Sequence, residues 1–85
     1  MKESNIDVTL QIGHQGATDA IVQELRDQVR TRKVVKAKRL RTTDTGGQEK
    51  EFWRSLAEKA EVRLLEVRGH TAIFADFRYR SSRDA

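Results

Sequence analysis

The chain has 85 residues, with 17 lysines and arginines against 13 aspartates and glutamates, a formal charge of +4 and no cysteine. A chain this short makes one domain with a modest core and little room for a deep catalytic pocket. The missing cysteine excludes disulfides, thiolate metal sites and a cysteine nucleophile. No apolar run approaches the roughly 20 residues of a membrane-spanning helix.

The N-terminal residues lead straight into a polar-apolar alternation without a signal-peptide pattern, so a cytoplasmic location is expected. Ile6, Val8, Leu10 and Ile12 alternate with Asp7, Thr9 and Gln11, which predicts a half-buried strand. Gly13 to Ala17 break the pattern. Thr18 suits an N-cap and Asp19 a first helical turn, and Ile21, Val22, Leu25 and Val29 follow at helical spacing to about Thr31. Residues 34–40 read as a second strand, with Val35 and Ala37 on one face and Lys36 and Lys38 on the other. A turn-rich loop over 41–47 precedes a second helix over 48–60, whose stripe is Phe52, Leu56 and Ala60, with Trp53 and Ala57 beside it. Residues 62–67 read as a third strand, Arg68-Gly69-His70 as a turn and residues 71–78 as a fourth strand. The core is expected over about 6–80, with 81–85 a flexible tail. The order β-α-β-α-β-β predicts an α/β two-layer sandwich with a four-stranded mixed sheet, its last two strands a hairpin.

Charge is unevenly spread. Arg26, Arg30, Arg32, Lys33, Lys36, Lys38, Arg39 and Arg41 meet a single acid, Asp27. Arg63, Arg68, Arg78, Arg80 and Arg83 form a second group. Such clustering suits phosphate contacts, which release condensed counterions, and equally suits a solvated face.

Gly13-His14-Gln15-Gly16 lies between a strand and a helix. Glycine lets backbone approach a ligand, and the first helical amides are unpaired donors at the positive end of a dipole. His14 and Gln15 at the tip can donate hydrogen bonds or stack. Taken alone, Gly-x-x-Gly is more readily an ordinary turn. KH domains clamp nucleic acid with Gly-x-x-Gly between two helices, whereas here the loop follows a strand.

Three stretches carry a resemblance. Gln11-Ile12-Gly13-His14-Gln15-Gly16-Ala17-Thr18, Lys33-Val34-Val35-Lys36-Ala37-Lys38, and Glu58-Lys59-Ala60 through Leu64 to Thr71 occur in the order of the CRM domain (chloroplast RNA splicing and ribosome maturation), also called YhbY-like. The chain resembles that family over about residues 7–78. The resemblance implies a fold like the C-terminal domain of translation initiation factor three, RNA binding and, for single-domain members, large-subunit ribosomal RNA precursors; neither enzymatic activity nor a cofactor is expected. By position it places Gly13, His14, Gln15 and Gly16 on the family loop, Lys36 and Lys38 on its basic strand, and Gly69 and His70 on its Gly-Lys turn. His14 and His70 stand where lysine is usual, and imidazole carries a full charge only once protonated. The family's basic helix before the first strand has no counterpart here, so any RNA contact made by that helix is expected to be missing. Phe77-Arg78 stands two residues beyond the family's Leu-Tyr-Arg ending.

Other chemistry is poorly supported. His14 and His70 lack a third ligand for a metal, and Ser55 sits in a helix without a nucleophile elbow. Glu49, Glu51, Glu58 and Glu61 fit a solvated helix face, and Trp53 and Phe52 fit the core better than a base platform. Phe74 fits either stacking or the core. The expectation is RNA contact through Gly13, His14, Gln15 and Gly16, with Arg30, Arg32, Lys33, Lys36, Lys38, Arg68, His70 and Arg78 adding phosphate attraction. A bulky residue at Gly16 is expected to weaken RNA binding and leave the fold intact. The alternatives are a dimeric Alba-like nucleic-acid protein and a protein-protein adaptor of ribosome assembly.

Overall fold

The computed structural model describes residues 6–78. Its elements are β1 (Val8–Ile12), α1 (Asp19–Arg32), β2 (Val34–Arg39), α2 (Glu49–Ala60), β3 (Arg63–Arg68) and β4 (Thr71–Ala75). The expected order and mixed four-stranded sheet are present. Strand order is β1-β2-β4-β3, with β1 parallel to β2 and β4 antiparallel to both of its neighbours.

Local chemistry sets both ends of α1 and the C-terminal end of α2. The Ile21 amide donates to the Thr18 hydroxyl at 3.3 Å, which caps α1, and Asp19 sits in its first turn. Lys33 closes α1 at φ 72°, its amide donating to the Val29 carbonyl. The α2 C-cap, Glu61, is left-handed at φ 59°, and the Val62 amide reaches back to the Ala57 carbonyl at 3.0 Å.

Both helices cover one face of the sheet. Leu25 and Val29 from α1 and Trp53, Leu56, Ala57 and Ala60 from α2 meet Leu10, Ile12, Val35, Ala37, Ala72 and Phe74 from the strands. Phe74 is fully buried with its ring centroid 5.9 Å from that of Trp53, so it belongs to the core rather than to a stacking surface. Phe52 meets the edge of Trp53 at 5.1 Å. Ile73 and Ala75 alternate with Phe74 and are also buried, as a central strand requires.

β4 ends at Ala75, three residues earlier than expected. There the Asp76 amide donates to the Lys33 carbonyl at 3.0 Å, and the Asp76 carboxylate accepts the Arg78 amide at 2.8 Å. This Asx turn diverts the chain out of the ladder. The predicted alternation therefore stops before Phe77, which is exposed. Tyr79, Arg80, Arg83 and the expected tail at 81–85 lie outside the described residues.

Candidate nucleic-acid interface

Strands β1, β2 and β3 run one way and β4 the other. The exits of β1 and β2, the β3–β4 turn and the starts of both helices therefore share one end of the sheet. Three loops meet there: residues 13–16, residues 40–48 and the Gly69-His70 turn.

The second loop is fastened to the first. The Leu40 amide and the Thr43 hydroxyl both donate to the Ile12 carbonyl at 3.1 Å, and the Asp44 amide donates to the His14 carbonyl at 3.2 Å. His14 Nδ1 lies 2.7 Å from the Thr42 hydroxyl, so the exposed imidazole is oriented by the neighbouring loop. Gln15 is exposed at the tip. The Gly69-His70 turn is fastened as well, because the Arg39 amide donates to the His70 carbonyl at 2.9 Å.

The two glycines of the first loop differ. Gly16 is buried at φ 75°, and a Cβ there would lie 3.1 Å from the Asp44 carbonyl oxygen and 3.4 Å from the Phe52 ring. Its lack of a side chain lets the two loops close on each other. A bulky residue at Gly16 therefore disturbs the fold, contrary to expectation. Gly13 is exposed, and a Cβ there would meet nothing within 4 Å. Of the two, only Gly13 offers bare backbone to a ligand.

The sheet face away from the helices continues from these loops. Gln11 pairs with Lys38, Lys38 with Thr71, and Thr71 with Arg68. Directly opposed residues share a face, so these four form a row across all four strands next to the loop end. Lys38 and Arg68 are exposed within it. The next row sets Lys36 and Glu66 on either side of buried Ile73. Lys36 is half-buried and less open than Lys38.

Arg39 was legible in sequence only as one more base in a cluster. It shares the helix-side face with Val35 and Ala37 and is buried. Its Nε donates to Glu49 Oε2 at 2.8 Å, its Nη2 pairs with Oε1, and its Nη1 donates to the Leu40 carbonyl at 2.9 Å. Trp53 Nε1 donates to the same carboxylate at 2.6 Å. The Arg39 guanidinium holds the Glu49 carboxyl below the ordinary carboxylate range, with Trp53 reinforcing it and desolvation opposing it. Glu49 is therefore a structural anchor joining the end of β2 to the start of α2, not a solvated helix residue. The period-two alignment of Arg39 with Val35 and Ala37 is the sequence signal that marks it.

The remaining expected contacts do not join this surface. Arg30 and Arg32 occupy the last turn of α1, and Lys33 caps it. A 14-residue helix separates them from the 13–16 loop, roughly 20 Å at 1.5 Å per residue. Arg78 follows the far end of β4. The expected site therefore divides: Gly13, His14, Gln15, Gly16, Lys38, Arg68 and His70 gather at one end, and Arg30, Arg32, Lys33 and Arg78 at the other.

The family model of the CRS1 / YhbY (CRM) domain matches residues 2–75. A solved solution structure of a hypothetical Staphylococcus aureus protein, described as an RNA-binding candidate, superposes with a TM-score of 0.73 at 22% identity, covering 96% of this chain and 83% of that one. No curated protein matches the chain.

Proposed function

The chain belongs to the CRS1/YhbY (CRM) domain family, and on that premise we propose that it is a non-enzymatic module binding structured RNA at the loop end of its sheet. The observation that carries this reading is the convergence there of the Gly13 backbone, the His14 and Gln15 tip, the His70 turn and the Lys38–Arg68 row. The N-termini of α1 and α2 lie at the same end, where helix dipoles favour phosphate. Gly13 admits a backbone phosphate closely, His14 and Gln15 supply hydrogen bonds, and Lys38 and Arg68 attract the phosphates that follow along the open face. Gly16 acts indirectly, by seating the loop on Asp44. The family resemblance favours ribosomal RNA or its precursors and a role in ribosome assembly, and the location we propose is the cytoplasm.

The test is Gly13→Val. Open space around Gly13 predicts an unchanged melting temperature together with RNA affinity lowered about tenfold or more, a loss of roughly 1.4 kcal/mol. The measurement is fluorescence anisotropy on a ribosomal RNA hairpin. Unchanged affinity in the folded variant removes the loop from the mechanism. Duplex DNA competing as well as RNA favours the Alba-like reading, and no binding to purified RNA at any salt favours the adaptor.

A further inference from the structure

The far end of the molecule carries its own basic surface. Arg30, Arg32 and Lys33 are exposed, and no ion pair engages their side chains among the described residues. Arg63 opens β3 at the same end, opposite Ala75 in register, and Arg78 follows β4. One acid there is paired, Glu61 with Arg26 at 3.2 Å. Arg26 also covers the end of α2, donating to the Lys59 and Ala60 carbonyls at 3.1 and 3.4 Å. The other acids at this end are Asp7, Asp27, Glu58 and Asp76, and the other cations Arg30, Arg32, Lys33, Lys59, Arg63 and Arg78, so cations outnumber anions.

Among these cations stands Phe77, 66% exposed. It lines a cleft together with the Arg26–Glu61 pair, Arg30, Asp76 and the apolar Val29 and Val62. An exposed ring beside guanidinium groups is the arrangement on which unpaired bases stack, with the cations following the phosphates. A duplex hides its base faces and gains nothing from such a ring.

We propose that this end binds a second, unpaired RNA segment, one base stacked on Phe77 and its phosphates held by Arg30, Arg32 and Lys33. This rests on the reading that the domain binds RNA at its loop end, and extends it. With the two surfaces roughly 20 Å apart along α1, one copy of the protein bridges two RNA segments.

The experiment uses a fluorescent oligouridine of about ten nucleotides, a length within single-strand site sizes, and an unlabelled ribosomal RNA hairpin. The expected result is oligouridine binding that persists when the hairpin is saturating. Phe77→Ala and the pair Arg30→Gln with Arg32→Gln should each weaken oligouridine binding at least fivefold, with hairpin affinity kept within twofold. Displacement of oligouridine by the hairpin means one shared surface and overturns the proposal. So does absence of oligouridine binding, or binding indifferent to Phe77 and Arg30. Oligouridine binding that depends on Phe77, without hairpin binding, removes the loop-end reading and the bridge with it, and leaves the Phe77 surface as the domain's own RNA contact.

Discussion

Replacing Gly16 by valine is expected to cost about 1–3 kcal/mol, because a left-handed backbone and a close carbonyl both oppose a branched side chain. Urea denaturation reads that loss, and the Gly13→Val protein, unfolding as wild type, is the contrast. Sequence spacing marks both glycines alike. Only the position of Asp44, brought in by a loop some thirty residues later, separates the one that packs from the one that is open. Glu49 is a second case. Removing its carboxylate in Glu49→Ala leaves the Arg39 guanidinium and Trp53 Nε1 without their acceptor, for about 1–3 kcal/mol. Its folded-state pKa lies below the unfolded one, so its contribution is full above the ordinary carboxylate range. That contribution is lost as the pH falls through the lowered value. Stability measured down an acid series should therefore fall less in Glu49→Ala than in wild type over that window. Nothing in the spacing of α2 identifies Glu49 as special, since its partner arrives from a different element.

At the scale of elements, periodicity decided most of the outcome. Alternation put Leu10, Ile12, Val35 and Ala37 into the core, and helical spacing Leu25, Val29, Leu56 and Ala60, with Ile21, Val22 and Phe52 partly buried against them. Val8, expected on the same face as Leu10, is exposed, because the register of β1 shifts between the two. β4 was a second exception. Its residues are buried on both faces, so alternation could not say which face meets the helices, and Phe74 remained ambiguous. The structure sets Phe74 against Trp53, and Phe74→Ala should cost about 3–5 kcal/mol by calorimetry. In a domain whose total stability is on the order of 5–15 kcal/mol, that loss is severe. The early end of β4 was hidden too, because the Asp76 carboxylate turns the chain by accepting the Arg78 amide, a local bond that the alternation over residues 71–78 does not reveal.

On the whole-molecule scale, topology sorts the charges. A run of bases continuous in sequence is divided by α1 and β2 among two ends and one sheet face, and Arg39 is withdrawn into an internal pair. Composition and clustering pointed to phosphate, but the run gave no view of which cations face the same way. The register does, by aligning Lys38 and Arg68 through Thr71. RNA binding at the loop end requires these two as phosphate contacts continuous with the Gly13 loop. The direct measurement is the salt dependence of affinity for a ribosomal RNA hairpin, in wild type and in Lys38→Gln with Arg68→Gln. Two lost phosphate contacts should flatten the slope of log affinity against log salt by about 1.5, with the melting temperature little changed. An equal slope and equal affinity in the folded double variant would contradict the account.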